Sequence, residues 1–213
     1  MITRRHFMTG AAAVAGLALM PGFLRPAQAQ SVDTTELLTP GPLGEKSLGP
    51  ADAKVTVIEY ASMTCGHCAR FHETTWPVFK EKYVDSGQVR FILREFPLDP
   101  LAAAGFMLAR SAPNDNFFPM VSLLFETQRE WAYSDDPVAA LLKISRQAGF
   151  TQESFEAALK NQELLDGVNW VRNRGAQEFG VDATPTFFIN GEKKAGALSI
   201  EEMDAAITPL LNG

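Results

Sequence analysis

The chain has 213 residues, 46% of them hydrophobic, enough to bury a core in one domain or in one domain with an insertion. Its formal charge of −6 becomes −9 if residues 1–29 are removed, because Arg4, Arg5 and Arg25 leave and no acidic residue does. That acidic balance argues against a nucleic-acid partner or an anionic membrane surface.

Residues 1–29 read as an export signal and stand apart from the fold. Arg4 and Arg5 form a charged start, and Gly10 to Leu24 is uncharged and apolar. That stretch is shorter than the roughly 20 residues a membrane span needs. Ala27-Gln28-Ala29 supplies small residues for cleavage, so the mature chain is expected to begin at Gln30. Thr3-Arg4-Arg5-His6-Phe7-Met8 resembles a twin-arginine signal, while Met8 and Thr9 depart from it and keep the general secretory (Sec) route open. Either route leads to a periplasm or cell exterior, where a dithiol can be held oxidised.

Residues 30–49 are rich in Pro, Gly, Ser and Thr and read as an extended arm with room for one short strand. Val55 to Tyr60 is β-rich and reads as a buried central strand. A helix is expected from the first cysteine onward, carrying Phe71, Thr75, Val78, Phe79 and Tyr83, with a kink at Pro77 and an end at Gly87. Val89 to Phe96 is a second strand, and the strand–helix–strand order implies a right-handed crossover and a parallel pair. From Leu101 to Phe179 the pattern is helical, with Phe117 to Trp131 read as one helix and Asp136-Pro137 as the start of the next. Trp76, Trp131 and Trp170 read as core. Thr186 to Ile189, the Asn190-Gly191 turn and Glu192 to Ala197 form a hairpin, and Ser199 with Glu202 is a capping box for a last helix to about Leu211.

Cys65-Gly66-His67-Cys68 contains both cysteines of the chain. At the junction of a strand and a helix, C-x-x-C reads as a redox dithiol. Two intervening residues leave the first sulfur at the helix N-terminus, where free N–H groups and the helix dipole favour thiolate. Cys65 is therefore assigned as the accessible, low-pKa sulfur and Cys68 as the buried resolving partner. His67 adds a positive charge or a donor, and Gly66 with His67 tunes the pair. Two bland readings compete. A purely structural disulfide would close too small a loop to stabilise much. A metal carrier would use Cys65, Cys68 and a histidine, yet these residues lack the two separated pairs of a usual structural zinc site. His72 reads as an ordinary helix residue flanking the site. Neither a metal nor a cofactor is expected.

Thr184-Pro185 precedes a strand, which suggests a special turn and leaves the cis and trans forms both open. Glu59 is the charged residue of an otherwise apolar strand. It is either an exposed strand residue or a buried carboxylate that handles the Cys68 proton. Arg94 on the next strand is its candidate charge partner.

Val57-Ile58-Glu59-Tyr60 before Cys65-Gly66-His67-Cys68, the helical block, and Val181 to Phe187 together resemble the DsbA-like thiol:disulfide oxidoreductases. The similarity covers nearly all of the chain from about Ser47. It implies an α/β thioredoxin fold with an inserted all-helical domain, placed here at about residues 100–175 within a domain of residues 50–213. It implies a cis Pro185 facing the disulfide, Thr184 offering backbone hydrogen bonds to a bound substrate, and Glu59 as the buried acid. It also implies reduced or unfolded exported proteins as substrates and re-oxidation by a DsbB-like membrane quinone reductase. Gly66 stands where the best-known DsbA has Pro, and Thr184 where Val is often found. These departures keep an isomerase or a reductase open beside the expected oxidase. The absence of an N-terminal dimerisation domain favours the oxidase.

Overall fold

A computed structural model describes residues 32–213. The expected export signal at 1–29, and Gln30 and Ser31 of the arm, lie outside the described residues. The elements in chain order are α1 (Thr34–Leu38), β1 (Lys46–Leu48), β2 (Val55–Ala61), α2 (Gly66–Thr74), α3 (Trp76–Phe79), a π-helical turn (Lys80–Val84), β3 (Val89–Glu95) and α4 (Pro100–Arg110). A 3₁₀ turn (Pro113–Asp115) leads to α5 (Phe117–Glu126), α6 (Gln128–Trp131), α7 (Pro137–Gln147), α8 (Gln152–Leu159) and α9 (Gln162–Glu178). β4 (Thr186–Ile189), β5 (Glu192–Ala195) and α10 (Ile200–Asn212) complete the chain.

The five strands lie in the order β1-β3-β2-β4-β5. β2 and β3 are parallel and the other pairs antiparallel. The β2–α2–β3 crossover is thus the expected unit, and β2 is central because both of its faces are covered. Val55, Val57 and Ala61 point into the larger core with Phe71, Phe91 and Phe187. Ile58 and Tyr60 point the other way, onto Ile92, Phe179 and Phe188. Each such aromatic, fully buried, contributes roughly 1.5–3 kcal/mol relative to exposure. α4 to α9 sit between β3 and β4 in sequence and form the helical insertion. Gly175 of α9 admits the ring of Tyr60 on β2; a Cβ there would stand 2.7 Å from it. The Asn190-Gly191 turn has both residues at positive φ, 45° and 87°, as a tight hairpin turn requires.

Several expectations need correction. The arm contains its short strand, β1, but also the helix α1, capped by the Asp33 carboxylate and pinned by buried Leu37. One turn with one buried residue carries no periodicity to read. Helix 117–131 is broken at Thr127, and the Trp131 indole bridges the break by donating to the Leu124 carbonyl at 2.9 Å. Trp170 is not core: it is 42% exposed, lying under the Arg174 guanidinium. Val78, placed in the apolar stripe, faces solvent because Pro77 starts a new helix, α3, after the break at Thr75. The last strand ends at Ala195 rather than Ala197. Among the described residues no helix is long and apolar enough to cross a membrane.

Candidate active site

Cys65 is the N-cap residue of α2, with extended backbone (φ −80°, ψ 117°) and no side-chain cap. Ser62 to Cys65 forms a turn closed by a 3.1 Å bond from the Cys65 N–H to the Ser62 carbonyl. The first helical amides therefore aim at the Cys65 sulfur. Gly66 and His67 are exposed, Cys65 is half-buried, and Cys68 is fully buried, one turn in. Both cysteines are thiols. The two sulfurs are driven apart in acidity. A hydrogen bond from Cys68 draws Cys65 down from 9.0 to about 5 against the cost of burial, helped by neighbouring Thr184 and by the Cys68 and His67 amides. Burial pushes the Cys68 thiol well above the usual range, and its bond to Cys65 and the Glu59 charge add to that.

The chain brings Thr184 to this point from 119 residues away. Its carbonyl accepts from the Cys65 Sγ at 3.3 Å. The Thr184–Pro185 bond is cis, and Pro185 is buried, its carbonyl accepting from Gly196 N–H at 2.9 Å. Glu59 is fully buried, so it is not the exposed strand residue that the sequence left open. Its partner is not Arg94. In the parallel register Glu59 lies beside Leu93 and Tyr60 beside Arg94, so the Arg94 side chain occupies the opposite face of the sheet. There it donates to the Tyr60 hydroxyl at 2.9 Å and to both Glu45 oxygens at 3.1 Å.

The partner of Glu59 is His72, whose Nε2 stands 2.9 Å from Oε2. His72 is not a bystander: it is buried, stacked on Phe125 at 4.3 Å and tilted 5.6 Å from Trp76. Gln128 was also missed. Buried at the start of α6, it donates from Nε2 to the Met63 carbonyl at 2.8 Å and the Cys65 carbonyl at 3.1 Å. The helical insertion thereby holds the loop that carries the dithiol. Thr64 makes a second tie, donating to Asp99 at 2.6 Å, and Asp99 in turn caps α4. Asp99 followed by Pro100 is a helix-start signal that the reading of a helix from Leu101 passed over, and no signal marked Gln128. Among the described residues no three His, Cys, Asp or Glu side chains converge as metal ligands. An apolar cavity of about 230 Å³, lined by Leu37, Ile58 and Phe188 among others, lies on the sheet face opposite the dithiol.

A cysteine pair opening a helix after a central strand, faced by a cis-proline loop and roofed by an inserted helical block, defines a thioredoxin fold of the disulfide-exchange type. The family model described as thioredoxin matches residues 43–208. A Rickettsia conorii protein named as a protein-disulfide oxidoreductase is 32% identical over 77% of this chain. The chain spans 59% of that relative's length. A Bacillus cereus protein named for disulfide bond formation is 28% identical over 69% of the chain and 70% of its own length. The crystal structure of Wolbachia pipientis α-DsbA1 superposes with a TM-score of 0.78 at 29% identity, covering 84% of this chain and 96% of that one. The chain belongs to the thioredoxin family, and its structure is similar to that of a DsbA protein.

Proposed function

We propose that the protein is an exported disulfide oxidase that passes a Cys65–Cys68 disulfide to reduced proteins. The observation that carries this reading is the opposition of the two sulfurs, with Cys65 drawn down to about 5 and Cys68 pushed up. A substrate thiolate attacks Cys65, the exposed end of the bond, and Cys68 leaves. A second substrate thiolate then attacks the substrate sulfur of the mixed disulfide and expels Cys65. Cys65 is a good leaving group because its thiolate is already stable at neutral pH. The same stability favours the reduced enzyme and makes the disulfide more oxidising. Two pH units between about 5 and neutrality correspond to about 2.7 kcal/mol. Solvent screening at a half-buried sulfur reduces that to about 1–2 kcal/mol, or roughly 20–45 mV.

Residues 1–29 are the leader in this reading, and residues 50–213 form the working domain with its helical insertion. Gly66 and His67 tune the pair, and Thr184 and Pro185 receive the substrate backbone. The protein works in the periplasm on reduced or unfolded exported proteins and is re-oxidised by a DsbB-like membrane quinone reductase. The names of the Rickettsia and Bacillus relatives support an oxidoreductase that forms disulfides. The Gly66-His67 dipeptide favours an isomerase as the second reading. A metal carrier would be left with His67 as its histidine, because His72 is bonded to Glu59.

The test is transfer to a reduced two-cysteine peptide. The oxidised protein should convert it to the disulfide stoichiometrically, Cys65→Ser should not, and Cys68→Ser, offered the peptide as its disulfide, should accumulate the mixed disulfide through Cys65. Failure to oxidise the peptide, with rapid reshuffling of a scrambled substrate, would assign an isomerase instead.

A further inference from the structure

The exchange scheme leaves one matter open: where the proton for Cys68 resides. Cys68 departs from the disulfide into a site with no exposure to water. An unprotonated sulfur there would stand uncompensated beside the Glu59 charge. The pocket holds one group able to supply a proton and one residue that fixes it. Cys68 and His72 are one turn apart on α2, on the same face. Glu59 lies beneath that face and meets His72 through Oε2 at 2.9 Å. Its other oxygen, Oε1, is buried without a hydrogen-bond partner. So is Nδ1 of His72.

We propose that His72 is a positioning residue for the Cys68 proton: its Nε2–H holds Oε2 of Glu59, which leaves Oε1 as the atom that exchanges a proton with Cys68. This rests on the exchange reading above. When a substrate thiolate attacks Cys65, the new S–S bond forms as the Cys65–Cys68 bond breaks. The electron pair goes to the Cys68 sulfur, and the proton passes to it from Oε1. Glu59 is left as a carboxylate, held by His72. In re-oxidation the order reverses. The Cys68 thiol returns its proton to Oε1 and attacks Cys65 of a mixed disulfide, and the partner's thiolate departs. Protons and electrons balance in both directions.

The surroundings isolate this pair. The cross-strand neighbours of Glu59 are Leu93 and Phe187, and the imidazole is packed by Phe71, Trp76 and Phe125. None of these ionises, so Cys68, with Cys65 beyond it, is the titratable group sharing the pocket. The effect of the Glu59 charge on Cys68 is consistent with that closeness. With Nε2–H as the donor to Oε2, Nδ1 is left buried without a partner and makes no competing bond to Glu59.

The experiment measures reduction of the oxidised protein by glutathione across pH 5–9 for the wild type, His72→Leu, His72→Gln and Glu59→Gln. The Gln side chain keeps an N–H donor at position 72, whereas Leu has none. His72→Leu should slow reduction by about tenfold or more and change the pH profile, as loss of a positioned proton donor does. His72→Gln should stay within about threefold of the wild type. Adding His72→Leu to Glu59→Gln should slow it no further. A wild-type rate and profile in His72→Leu would overturn the proposal, as would equal losses in His72→Leu and His72→Gln. If His72→Leu does not fold, a slow Glu59→Gln beside a near-normal His72→Gln supports the assignment, and any other ordering of those two refutes it. A wild-type protein that glutathione does not reduce would sink the exchange reading itself. An exchanging wild type with an unaffected His72→Leu would sink this assignment alone.

Discussion

Replacing Cys68 with alanine should raise the pKa of its neighbour, Cys65. The Cys68 thiol is the first cause of the low Cys65 value of about 5, ahead of Thr184 and the helix amides. A hydrogen bond to a charged group contributes about 1.5–3 kcal/mol, and 1.36 kcal/mol corresponds to one pH unit. Cys65 in Cys68→Ala should therefore titrate roughly one to two pH units higher, with solvent at the half-buried sulfur favouring the lower figure. Cys68→Ser keeps a donor and should rise less. The assay is thiolate absorbance near 240 nm against pH, checked by the rate of iodoacetamide alkylation. A midpoint in Cys68→Ala equal to that of the reduced wild type would refute the reasoning and assign the effect to the helix N-terminus alone.

The same values fix how the reduced form responds to pH. Cys65 is depressed to about 5 from 9.0, so its contribution is full above about pH 9 and is lost as pH falls through about 5. Cys68 is raised, so it opposes folding of the reduced form once pH exceeds 9.0. Urea midpoints of the reduced protein, relative to the oxidised one, should climb between about pH 5 and pH 9 and then fall; a flat difference would contradict both assignments. Gln128→Leu should cost about 1–3 kcal/mol in denaturant unfolding, because it leaves the buried Met63 carbonyl without its donor. A loss below about 0.5 kcal/mol would show that water replaces the amide.

The strands, the crossover and the hairpin were legible because their signals are local: β-branched runs, a two-residue turn and capping residues. The dithiol was legible because both cysteines stand in one short motif at a strand–helix junction. What escaped notice depended on register and on distant packing. Arg94 looked like the partner of Glu59 because both are charged residues on adjacent strands, but the parallel register puts them on opposite faces. His72 sits 13 residues from Glu59 at an unremarkable helical position, and its role emerges only when α2 is laid on β2. Gln128 lies 63 residues from Cys65 in a short helix with no motif, and its two bonds exist only in the folded chain. Trp170 was assigned to the core by residue type, yet an aromatic ring can lie flat on the surface under an arginine.

The central claim is that the Cys65–Cys68 pair is an oxidant, and the most direct test is its reduction potential, measured by equilibration with glutathione buffers at pH 7. The account predicts a value of roughly −120 to −200 mV, in the range of disulfide-donating proteins. A value near about −270 mV would place the pair with thioredoxin-like reductants and contradict the account.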